Sequence, residues 1–183
     1  MRLHILTRYH HGRYERFKEL VASLSGDFVL HVSIEEDRQR EEVLSVIPSA
    51  VIVKVKRGTG RGFFNGYINA LKAGINEPVW VLDSDDVAAP NAVENILKHY
   101  VPKAVNVFTI RYKRNMFLPS DRFANQISSQ CLVWNPSEIK IDWVSDRKCA
   151  DNIFLRTCKR NGVPIVLNGR TPVAWLKTNN NGR

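Results

Sequence analysis

The stretch Pro78–Pro90, PVWVLDSDDVAAP, constrains this chain more than any other. Pro78 leads into Val79, Trp80, Val81 and Leu82, and Asp83, Asp85 and Asp86 follow at once. A continuous apolar run of this kind reads as a strand buried on both faces, as in a parallel sheet covered by helices. The carboxyl ends of such strands are where open α/β sheets hold ligands. Three acids packed this closely repel one another unless positive charge sits among them. A hard divalent cation meets that need, and Mg²⁺ commonly joins one or two carboxylates to substrate phosphates. The plain alternative is a solvated acidic turn opening the next helix, where Asp is favoured. Their place directly behind a buried strand favours the ligand site.

The rest of the chain agrees with an α/β reading. Leu3–Leu6 reads as a first strand ending in Thr7 and Arg8, and Tyr14, Phe17, Leu20, Val21 and Leu24 then share one helical face. Phe28–Ile34 is a second strand, ending in Glu35, Glu36 and Asp37. A helix through Val43, Leu44 and Ile47 stops before Pro48, and Ala50–Val55 is a third strand. That strand runs into the glycine-rich turn Arg57–Gly62, which opens a helix carrying Phe64, Ile68, Leu71 and Ile75. Such a turn can present backbone N–H groups to a phosphate, although its spacing fits neither the Walker A nor the dinucleotide pattern. After the acidic strand end, a helix spans roughly Asn91–Tyr100 and a strand Ala104–Ile110. Asn115–Ser128 lacks a clear period and reads as an active-site loop. Gln130–Trp134, Pro164–Leu167 and Pro172–Leu176 read as strands, and Asp151–Asn161 as a helix. Strand ends therefore gather Arg8, the acids at 35–37, Arg57 and the acids at 83–86, the clustering expected of a crevice along a parallel sheet.

Length and composition set the frame. The 183 residues fit one domain, 1–183, with a nucleotide-type half at 1–103 and a mixed half at 104–183. No stretch approaches the roughly 20 apolar residues of a membrane helix, and the charged amino-terminal segment does not resemble a signal peptide. Cys131, Cys149 and Cys158 are an odd set without metal-ligand spacing, as expected of reduced thiols in a cytoplasmic protein (host cytoplasm, were the chain phage-encoded). Net charge is +9 and lopsided: residues 1–103 carry 14 Lys/Arg against 13 Asp/Glu, and residues 104–183 carry 13 against 5. A half this basic suggests a polyanionic partner, nucleic acid first and an anionic membrane surface second. An idle basic surface is the competing reading.

These residues resemble the GT-A glycosyltransferases, most closely those of family 2. Asn65–Leu97, NGYINALKAGINEPVWVLDSDDVAAPNAVENIL, is similar to the family's helix, apolar strand, D-x-D motif (Asp83-Ser84-Asp85) and following proline. Ala150–Gly162, ADNIFLRTCKRNG, is similar to its late helix, in which an acid precedes an apolar pair, an arginine and a glycine. The resemblance implies a GT-A fold: a Rossmann-like, mostly parallel nucleotide-binding half with helices on both faces, fused to a mixed acceptor-side half. It implies transfer of a sugar from a nucleotide-sugar donor, a UDP-sugar being expected, to an acceptor hydroxyl with inversion. Asp85, with Asp83 and Asp86, would hold Mn²⁺ or Mg²⁺ on the donor diphosphate. Thr7, Arg8, Glu35, Glu36, Asp37, Arg57, Arg61, Asn65, Asp83 and Ser84 would line the donor site, with Asn69 an alternative register for Asn65. Asp151 corresponds to the acid that takes the acceptor proton, and Asp146 is a rival for that role.

The chain departs from the family at several points. Glu35-Glu36-Asp37 stands where an Asp before a Gly-Ser turn is usual, Ala150 replaces a frequent acid, and no histidine follows Asp151. The chain is also short for the family. Shortness and a basic second half suggest DNA bearing a hydroxymethylated base as acceptor. Arg111, Lys113, Arg114, Arg147, Lys148, Lys159 and Arg160 would meet phosphates, and Tyr112, Phe117 or Trp134 would stack on a displaced base. Glycan or lipid-linked acceptors are the alternative. Two other classes compete: a haloacid-dehalogenase-type phosphatase, whose D-x-D-x-[TV] motif LDSDDV also fits, and a non-catalytic nucleic-acid-binding protein.

Overall fold

The computed structural model describes residues 1–10, 12–56, 63–112, 115–117, 128–143 and 150–176. Elements alternate strictly at first: β1 (Leu3–Arg8), α1 (Tyr14–Ser23), β2 (Phe28–Ile34), α2 (Arg38–Val46), β3 (Val51–Lys54), α3 (Phe63–Leu71) and β4 (Val79–Val81). Then come β5 (Val87–Ala88), α4 (Ala92–His99), β6 (Val105–Tyr112), β7 (Asn115–Phe117), a 3₁₀ turn at Ser129–Cys131, β8 (Leu132–Trp134), α5 (Ala150–Arg160) and β9 (Ile165–Leu176). One nine-stranded sheet runs in the order β3-β2-β1-β4-β8-β6-β9-β5, with β7 pairing β6.

The first four strands in that order are all parallel, with Ile5 between Leu30 and Trp80. Parallel neighbours need crossovers, which α1, α2 and α3 supply. The sheet changes character at β8, which is antiparallel to both β4 and β6. β6 and β9 are parallel again, while β5 caps the edge antiparallel to β9. This is the expected division into a parallel half and a mixed half, and it puts the end of β4 where the sheet changes direction.

The expected boundaries moved in a few places. β1 continues through Thr7 and Arg8, so both residues stand on the strand itself. Gln130 belongs to the 3₁₀ turn before β8. The two late strands are one strand, β9, with register shifts opposite Phe108, Thr109 and Ile110. Pro172 pairs with Thr109 there and has no N–H to give, so the ladder is carried past it by an irregularity. The short β5 was not expected, being two residues long.

The core follows the apolar run. Val79, Trp80, Val81 and Leu82 are fully buried, as are Leu3, Ile5, Leu6, Val32, Val105 and Val107. Cys131 and Cys158 are buried free thiols, and Cys158 packs within the core on α5. Trp134 is wholly buried, its ring 5.9 Å from Trp143 and 5.1 Å from Phe154. Trp143 and Phe154 stack at 4.9 Å. The expectation that Trp134 stacks on a base is therefore corrected: neighbouring side chains cover the ring, and it seats α5 against β8.

A second tie joins the two halves. The Asn69 side-chain amide donates to the Trp143 carbonyl and accepts from the Trp143 N–H, both at 2.9 Å. Just beyond α3, Lys72 donates to the Ile141 carbonyl at 3.1 Å and pairs with Asp142 at 2.7 Å. The segment 141–143 is thus fastened to α3 and the residue just beyond it, in the parallel half. Asn69→Ala would leave both backbone groups of the buried Trp143 unpaired, a loss of about 2 kcal/mol. A lower denaturant midpoint with an unchanged slope is the expected reading, and an unchanged midpoint would refute this role.

Candidate active site

The local geometry begins where the apolar run ends. Leu82 still bonds β1, its N–H donating to the Leu6 carbonyl at 3.0 Å. The backbone then turns, the Asp86 N–H donating to the Asp83 carbonyl at 3.0 Å. This turn brings Asp83, Asp85 and Asp86 together, each offering one carboxylate oxygen within 4.8 Å of the others. Ser84, Asp85 and Asp86 are buried.

Each acid is held differently. Asp83 accepts from the Tyr67 hydroxyl at 3.1 Å on one oxygen and from the Gln130 amide at 2.7 Å on the other. The same Gln130 nitrogen donates to Asp86 at 3.0 Å. Gln130 is fully buried, and its carbonyl accepts from the Trp80 indole at 2.9 Å. Its side-chain oxygen accepts from the Ser128 hydroxyl. Asp85 is instead matched by guanidinium groups, Arg13 at 2.6 Å and Arg16 at 3.8 Å.

Electrostatics follow from burial and this close packing. Burial raises the Asp83 pKa first and the Asp85 charge adds to it, while Arg8 and the bonds from Tyr67 and Gln130 oppose the rise. Burial likewise raises Tyr67, with Asp83 next, and lowers the Arg8 guanidinium. Arg8 lies over the Tyr67 ring, 5.6 Å from its centre. An all-oxygen donor set of three carboxylates fits Mg²⁺ or Mn²⁺.

The remaining donor-side candidates divide. Thr7 and Ser33, at the carboxyl ends of β1 and β2, have buried hydroxyls without a hydrogen-bond partner among the described residues. Glu35 lies near enough to Arg8 to influence it. Glu36 pairs with Arg38 at 2.6 Å and Asp37 with Lys54 at 2.6 Å, both pairs being surface contacts. Asn69 is committed to Trp143. Arg57, Arg61 and the Asn65 side chain lie outside the described residues.

Asp151 opens α5 in its first turn. It accepts from the Asn152 N–H at 2.8 Å, and burial raises its pKa against that bond. It lies close enough to raise the Cys131 thiol, which burial chiefly pushes up to about 12. Cys131 follows Gln130, so the one 3₁₀ turn touches the acid cluster through Gln130 and lies near Asp151 through Cys131. Farther along α5, Ile153, Arg156, Lys159 and Arg160 line a groove of about 470 Å³. Arg111 is exposed at the end of β6. Lys113, Arg114, Asp146, Arg147, Lys148 and the Tyr112 and Phe117 side chains lie outside the described residues.

Sequence reasoning missed Arg13, Arg16, Tyr67 and Gln130. Arg13 and Arg16, three apart at the start of a helix after β1, were the one available signal. Gln130 gave none, because its partners stand 44 and 47 residues away.

A parallel βα half joined to a mixed half, with a D-x-D cluster at the end of β4, defines the GT-A class. Residues 14–156 match the profile of glycosyl transferase family 2, and the chain belongs to that family. The phosphatase reading of the same motif gives way to this assignment. Among solved structures, S. aureus TarS 1-349 is similar at 14% identity and a TM-score of 0.69, over 96% of this chain and 60% of that one. The inositol-1-phosphate CTP transferase from T. maritima is similar at 15% identity and a TM-score of 0.59, over 96% and 89%. The Rv0371C complex with manganese from Mycobacterium tuberculosis H37Rv matches at 11% identity and a TM-score of 0.57, over 94% and 91%. These likenesses establish the fold. The chain spans 60% of the TarS fragment's length. No curated protein sequence matches the chain. Among the described residues, no helix is long and apolar enough to cross a membrane.

Proposed function

We propose that this chain transfers a sugar from a nucleotide-diphosphate donor, a UDP-sugar, to an acceptor hydroxyl with inversion at the anomeric carbon. The observation that carries this is the Asp83–Asp85–Asp86 cluster at the end of β4, with a half-buried Asp151 in the first turn of α5 near Cys131 of the 3₁₀ turn. Asp85 would hold Mn²⁺ or Mg²⁺ together with Asp83 and Asp86; the ion supplies electrostatic neutralisation of the departing diphosphate. Tyr67 and Gln130 fix the orientation of Asp83, and Gln130 that of Asp86.

Asp151 acts as the base. The acceptor oxygen attacks the anomeric carbon while the bond to the diphosphate oxygen breaks, and the acceptor proton passes to the Asp151 carboxylate. Desolvation makes that carboxylate more basic, which suits the task. Asp146 keeps its place as the rival base.

For the acceptor we propose a polyanion, DNA with a hydroxymethylated base. Support comes from the excess of 13 Lys/Arg over 5 Asp/Glu after residue 103, and from the groove where Arg156, Lys159 and Arg160 extend away from Asp151 along α5. Transfer to such duplex DNA is expected to weaken steeply with salt, and Arg156→Gln with Lys159→Gln should flatten that slope by about two contacts. Transfer to neutral glycans with no influence of DNA would overturn the DNA acceptor and leave the donor chemistry standing.

A further inference from the structure

We infer that Arg13 is an exchangeable counter-ion: it holds Asp85 before the donor binds, and moves to the donor diphosphate when a divalent cation takes that carboxylate. The inference rests on the metal-dependent reading above.

Among the described residues, the arginine pairs of the cluster are made to Asp85. Its side chain is 6% exposed, and the Arg13 guanidinium lies on it at 2.6 Å while remaining 41% exposed itself. Arg16, one turn along α1, stands farther off at 3.8 Å with 49% exposure. The buried acid is thus capped by a cation whose own side chain reaches solvent and can turn away. Asp83 and Asp86 lack such freedom, since Gln130 bridges them from inside the core.

Charge gives the reason for an exchange. Three carboxylates, Asp83, Asp85 and Asp86, face three guanidinium groups, Arg8, Arg13 and Arg16. Glu35 lies beside Arg8 as well, so among the described residues four carboxylates face three guanidinium groups and little negative charge is left over for a cation. A doubly charged cation added alone must compete with Arg13 for Asp85 and leaves excess positive charge behind. A nucleoside diphosphate arriving with the cation brings the missing negative charge and gives Arg13 a new partner. The planar guanidinium fork suits phosphate oxygens as well as it suits carboxylate. Metal and nucleotide should therefore bind cooperatively, each tightening the other by the same factor.

The test is Mn²⁺ binding followed by the electron paramagnetic resonance signal of the free ion, with and without UDP. In the unaltered protein, UDP should tighten Mn²⁺ binding about tenfold or more. In Arg13→Gln, Mn²⁺ alone should bind about tenfold more tightly, because a charge-assisted bond to Asp85 no longer opposes it. The gain from UDP should shrink in the same variant. Arg13→Lys keeps the charge without the fork and should fall between the two; it also serves if Arg13→Gln does not fold. Arg16→Gln should shift both quantities less. Mn²⁺ affinity that is unchanged or weaker in Arg13→Gln overturns the exchange. If Asp85→Asn still abolishes Mn²⁺ binding in that case, the metal site stands and only the role of Arg13 falls. No Mn²⁺ binding by the unaltered protein, even with UDP, overturns the metal-dependent reading and the exchange together.

Discussion

Asp85→Ala is expected to reduce sugar transfer about 10³-fold, with the donor still recognised through its nucleoside. Asp85 stands at the turn after β4, buried beneath Arg13 and Arg16, and reaches neither Gln130 nor Tyr67 in the hydrogen bonds that order its neighbours. Removing it deletes a cation-facing carboxylate while leaving Asp83 and Asp86 fixed. Two positive groups then face each other without their shared acid, so a small loss of stability should accompany the loss of activity. A chelator should lower the unaltered enzyme to the level of the variant and have little further effect on the variant itself. Two independent losses that multiply would contradict a shared cause.

Asp151→Asn should lower kcat by about 10²–10⁴-fold with donor affinity nearly unchanged. The amide has the shape of the acid and can still accept from the Asn152 N–H, so α5 keeps its start. What it cannot do is take a proton. The sign of the pH dependence follows from burial, which raises the Asp151 pKa above its ordinary value. A base works ionised, so activity should fall as pH drops through that raised value, at a higher pH than an ordinary aspartate would set. Asp151→Asn should lose this acid limb along with the rate. An intact limb in Asp151→Asn and its loss in Asp146→Asn would transfer the role to Asp146.

How much of this was legible in the sequence depends on the range of the contacts involved. The buried strand and its acids were readable because Val79–Leu82 and Asp83–Asp86 are consecutive, and their meaning lies in that adjacency. The alternation of strands and helices as far as β4 was readable from period alone, while the two-residue β5 after it was not. Gln130, Tyr67 and Arg13 were not, since each is an ordinary residue until folding sets it against an acid 47, 16 or 72 positions away. Trp134 illustrates the reverse error. An aromatic in a strand serves a ligand or the core according to what covers its ring, and here Trp143 and Phe154 cover it. Asn69 was read as a donor-site alternative, yet both ends of its amide are used by the backbone of Trp143. The second half was harder throughout, because β8, β6 and β9 pair out of chain order and Pro172 interrupts the ladder of β9.

The central claim is a metal-dependent transferase that uses a nucleotide sugar through Asp85. Its most direct measurement is nucleoside-diphosphate release from a panel of nucleotide sugars, with Mn²⁺ and with chelator, for the unaltered protein and Asp85→Ala. The account predicts turnover of at least one donor, a UDP-sugar, that requires the ion and disappears in the variant. Turnover indifferent to both chelator and Asp85→Ala, or no turnover of any donor by the folded protein, would contradict it.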